Sequence, residues 1–185
     1  MDTWEWLPSG KNQWISGNTS IPDDGFWNGC AVKINDNEIL LIGGYDTYER
    51  VLKFNTITKQ FINLGNILNY GRTLHACTRF QDEIIIAGGQ FAPSSTEIIN
   101  LNDLTTAHTA GNFVQARAFH SLVVVHIDSK PTVLALGGFN DYGQNLDSIE
   151  MWNSTTETWT MSSMKLTEPK DSFGIVSLPT HLLCP

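Results

Sequence analysis

Three markers recur in the same order along the chain, at a period of about 47 residues. Paired glycines stand at Gly43-Gly44, Gly88-Gly89 and Gly137-Gly138, and each pair closes an apolar run, at 39–42, 84–87 and 133–136. Second, an apolar or aromatic residue is followed seven positions later by a ring: Leu7 to Trp14, Phe54 to Phe61, Leu101 to His108, Trp152 to Trp159. A turn former follows each first member, as Pro8, Asn55, Asn102 and Asn153. Third, Arg72-Thr73-Leu74-His75-Ala76 matches Arg117-Ala118-Phe119-His120-Ser121, with weaker copies at Gly25-Phe26-Trp27-Asn28-Gly29 and Lys170-Asp171-Ser172-Phe173-Gly174. A chain with this periodicity is built from copies of one supersecondary unit that cannot hide its apolar faces alone.

Each unit reads as four short strands. The first follows the Arg-x-x-His element and the second is the apolar run before the glycines. The third passes through 51–54, 98–101 or 149–152, and the fourth begins near Phe61, His108 or Trp159. Asn, Asp, Gly and Pro mark the turns between them. No segment holds a helical apolar period. The second strands are apolar at successive positions rather than alternating, which predicts strands covered on both faces. Packing such units around an axis is the β-propeller solution.

The net charge of −8 argues against a general nucleic-acid footprint and against adhesion to anionic lipid. No apolar run reaches the 18 residues that would suggest a membrane span. Residues 1–10 contain Asp2 and Glu5 and no basic stretch, unlike a secretory leader. Cys30, Cys77 and Cys184 are odd in number and widely spaced, so they are expected as free thiols in a reducing, cytoplasmic setting.

An apolar strand, a Gly-Gly pair and a spaced aromatic pair together resemble the kelch repeat. The segment Ser148-Ile149-Glu150-Met151-Trp152-Asn153 through Glu157-Thr158-Trp159 is a close copy. The resemblance implies an all-β, kelch-type propeller of four-stranded antiparallel blades. The chain then divides as a partial blade at 1–24, blades at about 25–70, 71–114 and 115–167, and a partial blade at 168–185, together one domain over 1–185. The second blade departs from the pattern, with His108 for the usual Trp and Leu101 for the usual Tyr. Residues 4–7 read as a third strand, 173–178 as a first strand, and Leu182-Leu183 as the start of a second. Three whole blades with partial blades at both ends suggest a piece of a larger propeller, with open edges as a route to self-association.

No phosphate loop, nucleophile elbow or paired metal-ligand motif occurs, so the expectation is a non-enzymatic protein without cofactor or metal. His75, Cys77, Cys30 and His120 are four soft ligands at repeat positions, but such residues pack as core more often than they bind zinc. Strands alternate in direction, so the loops after the glycine pairs and those before the Arg-x-x-His elements emerge on one face. Candidate partner-binding residues there are Tyr45, Asp46, Gln90, Phe91, Phe139, Asn140 and Tyr142, together with Arg72 and Arg117. The two arginines have a second reading, as braces paired with acids such as Glu97. The kelch resemblance implies a protein or peptide partner, and for some members a role as substrate receptor in a cullin-type ubiquitin ligase adaptor. A sugar-modifying enzyme of epimerase or oxidase type and a structural fragment are the alternatives.

Overall fold

The computed structural model describes residues 2–7, 13–22 and 26–177. The described residues are all-β. Strands β1 (Asp2–Leu7) and β2 (Gln13–Ser20) form an antiparallel pair. Three four-stranded antiparallel meanders follow. The first is β3 (Cys30–Asn35), β4 (Glu38–Ile42), β5 (Arg50–Asn55) and β6 (Gln60–Asn66). The second is β7 (Ala76–Phe80), β8 (Glu83–Ala87), β9 (Thr96–Asn100) and β10 (Asp103–Ala110). The third is β11 (Ser121–Ile127), β12 (Lys130–Leu136), β13 (Ser148–Asn153) and β14 (Thr158–Lys165).

The apolar runs are buried on both faces, as their lack of alternation predicts. In the second sheet, Ile84, Ile86 and Ile99 pack with Val32, Ile34, Leu40 and Ile42 of the first sheet. Their neighbours Ile85, Ala87 and Ile98 pack the other way, with Leu122, Val133, Ala135 and Trp152 of the third. One strand thus serves two cores. Between sheets, β3 lies against β7 and β7 against β11. The first strand of each meander therefore faces the axis, and the sheets fan outward from it.

A backbone chain links the sheets at that inner edge. Leu74 N–H donates to Asn28 O (2.7 Å), Phe119 N–H to Leu74 O (2.8 Å), and Ser172 N–H to Phe119 O (2.9 Å). All four residues sit at left-handed φ, between 52° and 59°. They ring a cavity of about 320 Å³ that His75 and His120 also line. The glycine pairs complete the junction. Gly44 N–H donates to Arg72 O, Gly89 N–H to Arg117 O and Gly138 N–H to Lys170 O, at 2.7 to 3.0 Å. At Gly88 (φ +65) a Cβ would stand 2.5 Å from Arg117 O and 2.8 Å from the His120 ring. The pair is glycine because the next unit's Arg-x-x-His element occupies that space.

The structure corrects four details of the sequence reading. Trp27, Thr73 and Ala118 accept the same bond, from Tyr45, Gln90 and Phe139 N–H. Phe26, not Gly25, therefore occupies the place of Arg72 and Arg117. The ring pairs Phe54–Phe61 (4.6 Å) and Trp152–Trp159 (5.1 Å) face each other across β5–β6 and β13–β14. Their counterpart in the second sheet is Ile99–Ala107, rather than Leu101–His108, because β10 carries an irregularity between Asp103 and Ala107. In β1–β2 the register likewise sets Trp6, not Leu7, opposite Trp14.

The third correction concerns the cysteines: Cys30 and Cys77 are joined by a disulfide, with Cα atoms 5.9 Å apart. They are not structural counterparts, since Cys30 pairs with Ile42 as Ala76 pairs with Ala87. The axial convergence of β3 and β7 brings them together, which linear spacing does not reveal. Fourth, residues 173–177 form no strand. Leu178, Leu182-Leu183 and Cys184 lie outside the described residues.

Candidate functional site

Among the described residues, Arg72 and Arg117 are the largest side chains with no exposed surface. Arg72 donates through Nη1 to Gly88 O (2.9 Å) and Ser95 O (3.2 Å), and through Nη2 to Ser95 Oγ (2.9 Å) and Glu97 Oε2 (2.7 Å). Arg117 repeats the set on Gly137 O, Ser148 O, Ser148 Oγ and Glu150 Oε1 (2.8 Å). Burial pulls both guanidinium pKa values down, and the carboxylates oppose it. The candidate role of these arginines as partner-binding residues is corrected: they are braces, because no part of either side chain reaches solvent.

The carboxylates go further and set the outer loops. Glu97 accepts from Asn69 N–H (2.6 Å), Asn69 Nδ2 (2.9 Å) and Tyr70 N–H (3.4 Å). Glu150 accepts from Val114 and Gln115 N–H, at 2.8 and 3.0 Å. Each Arg–Glu pair thus holds the loop that enters the next unit from the preceding one. At the corresponding places in the first sheet stand Phe26, Arg50 and the buried Leu52, so the Arg–Glu pair has no copy at those positions.

His75 and His120 lie behind these arginines. Desolvation, then the Arg72 charge, holds His75 down at about 3. Desolvation, then Arg117, pushes His120 well below its usual range. Among the described residues neither ring makes a hydrogen bond of ordinary geometry, although the Ile42 carbonyl lies near enough to His75 to favour the proton slightly. They are neutral packing rings against Gly43 and Gly88. Cys30 and Cys77, bound to each other, leave no thiolate beside them.

The loops that leave the sheets at the glycine pairs meet those held by Glu97 and Glu150 on one face. Tyr48 and Glu49, Asn69 to Gly71, and Phe91 line a pocket of about 440 Å³ between the first and second sheets. Leu74, Gln90, Phe91, Phe139, Asn140 and Asp141 contribute to another, of about 390 Å³, between the second and third. Phe91 divides the two. It is 65% exposed and held at φ 73°, a strained setting for a bulky residue. A chain of rings leads to it: Trp27 to Tyr45 (4.5 Å), Tyr45 to Tyr48 (5.9 Å), Tyr48 to Phe91 (5.5 Å).

The structure therefore brings Gln90, Phe91, Phe139 and Asn140 around one pocket and connects Tyr45 to it through Tyr48. Asp46 is exposed beside Tyr45, at φ 65°. Asn140 spends its amide on its own loop, accepting from Tyr142 and Gln144 N–H and donating to Gln144 Oε1. Tyr142 stands 88% exposed at the tip of that loop. Residue-type reasoning missed Trp27, Glu49 and Tyr70. The available signal was the position of Tyr70, two residues before Arg72 in a loop already placed on this face. Asp46, Glu49 and Asp141 make no ion pair or hydrogen bond through their carboxylates among the described residues. Lys165 pairs with Asp147 and Lys170 with Glu168, and Arg50, which closes the first loop, is itself engaged, so the carboxylates of Asp46, Glu49 and Asp141 stand beside the rings of this face.

Radial four-stranded meanders, glycine pairs at the junctions and a loop-built face define a blade-repeat protein of the propeller type. Comparison with known proteins agrees. Residues 129–163, which run from the turn before β12 into β14, match the Kelch motif family model. The chain is 37% identical over 68 residues to a kelch repeat-containing protein of Dictyostelium discoideum, a match taking in 32% of this chain and 10% of that protein. Residues 129–163 thus carry a kelch motif, and the chain's match spans about a tenth of the length of this relative.

Proposed function

We propose that the chain is a non-enzymatic interaction module that binds a protein or peptide across its loop face. The carrying observation is the position of Phe91, an exposed, strained aromatic between two pockets whose walls come from different sheets. Exposed aromatics on a rigid frame are favoured anchors for a partner. Kelch repeats generally mediate such contacts, which supports the reading.

The test is a peptide library selected on the full chain and re-measured on variants. Phe91→Ala is expected to weaken selected peptides by at least about tenfold, as hot-spot truncation does. Thr155→Ala, in the turn between β13 and β14 at the opposite end, leaves them unchanged. Peptides that respond to Thr155 and ignore Phe91 would place binding elsewhere.

The finer reading, resting on resemblance alone, is that the partner is a substrate presented to a cullin-type ubiquitin ligase. Failure of the natively expressed protein to co-isolate with a cullin subunit would remove it. Cytoplasmic residence is part of the same proposal and requires Cys30 and Cys77 to be reduced there. Alkylation of intact cells followed by mass analysis distinguishes the dithiol from the disulfide, and a fully oxidised pair argues against that compartment.

A further inference from the structure

We infer that the pocket between the first and second sheets is a cation cage that takes one basic side chain of the bound partner. The inference rests on the loop face being the binding face and adds the chemistry of one of its pockets. Three of the six lining residues are aromatic, Tyr48, Tyr70 and Phe91, and one is a carboxylate, Glu49. Tyr48 and Phe91 meet edge-on at 82°, with centroids 5.5 Å apart, and so form a corner rather than a stack. Tyr70 is 48% exposed and Phe91 65%, which leaves ring surface open to the pocket. Aromatic faces carry negative quadrupoles, and a cation desolvated among them is held by that field as well as by the carboxylate.

The walls are fixed before any ligand arrives. Glu97 anchors the backbone of Asn69 and Tyr70, and the Asn69 amide also donates to Ala107 O (2.8 Å). Tyr48 O accepts from Arg72 N–H (3.2 Å), and Glu49 O accepts from Ile67 and Leu68 N–H. Gly71 makes the floor: a Cβ there would stand 2.6 Å from Glu49 Oε1 and 2.9 Å from Tyr48 Cβ. The Glu49 carboxylate therefore lies against a bare backbone and makes no ion pair among the described residues. Pre-organisation of this kind lowers the ordering cost of binding. Charge selects the occupant, since an anionic side chain would meet Glu49, with Asp46 in the loop beside it. At the next junction Val114 and Gln115 accompany Glu150 where Asn69 and Tyr70 accompany Glu97, so the cage does not recur there.

The test uses the full chain and two kinds of probe. Tetramethylammonium chloride is titrated alone, followed by the Gly71 amide and the Tyr48 and Tyr70 ring resonances. A Kd on the order of 1–10 mM is expected for such a cation. Peptides identical except at one position then carry trimethyl-lysine, lysine, arginine or neutral norleucine. The cationic peptides should bind at least about tenfold tighter than norleucine, and their order separates alkylammonium from guanidinium recognition. Phe91→Leu keeps bulk and loses the ring, and Glu49→Gln keeps shape and loses the charge. Each should cut the advantage of the cationic peptides over the norleucine peptide by about fivefold or more. Equal binding of norleucine, or indifference to both variants, overturns the cage. If peptides still lose binding on Phe91→Ala while norleucine equals arginine, the loop face stands and the cage alone fails.

Discussion

At the scale of single residues, two buried ion pairs carry the junctions. Arg72–Glu97 and Arg117–Glu150 have no solvent-exposed side-chain surface, and removing one partner strands the other. Arg72→Ala and Glu97→Ala are each expected to destabilise the fold by about 3–5 kcal/mol. The double variant Arg72→Met with Glu97→Leu should cost clearly less than their sum, because Phe26 and Leu52 already fill those places in the first unit. Chemical denaturation of the set checks this, and simple additivity would refute the pairing. The histidines make a second prediction. Their folded-state pKa values lie below the ordinary 6.5, with His75 at about 3, so the folded state binds fewer protons than the unfolded one. Stability is full above pH 6.5 and falls on acidification toward pH 3, by about 1.4 kcal/mol per unit for each ring. Replacing His75 and His120 by Phe should flatten that part of the pH–stability curve.

The elements were largely legible in the sequence, and their alignment was not. Glycine pairs and doubly apolar runs identified the second strands because both features follow from burial between sheets. The residue register slipped where the connections differ in length. The first Arg-x-x-His copy is displaced by one, to Phe26, and β10 holds an irregularity that moves its marker from Leu101–His108 to Ile99–Ala107. Leu101 and His108 keep the period, whereas Ile99 and Ala107 keep the contact. The disulfide was hidden for a related reason, since Cys30 and Cys77 sit 47 residues apart and meet only through convergence of β3 and β7. By the loop-closure model, reduction of a loop this long removes about 4 kcal/mol. Denaturation with and without reductant measures it, and a Cys30→Ala/Cys77→Ala variant should match the reduced protein. Equal midpoints for oxidised and reduced chains would show that the junction holds without the bond.

For the whole molecule, the same arrangement accounts for stability and for display. Sheets that cover each other's faces leave their connections at two ends. The end near the glycine pairs is cross-braced by buried arginines and carries the aromatic chain from Trp27 to Phe91. Placing Tyr45, Gln90, Phe91 and Phe139 there needed only strand alternation. Separating braces from contacts needed burial, which a repeated Arg-x-x-His cannot reveal. Backbone resonance mapping of the chain with a selected peptide tests the account most directly. It predicts shifts confined to 45–50, 69–71, 89–92 and 139–143. Shifts concentrated instead at 81–82, 130–132 and 153–155 would contradict it.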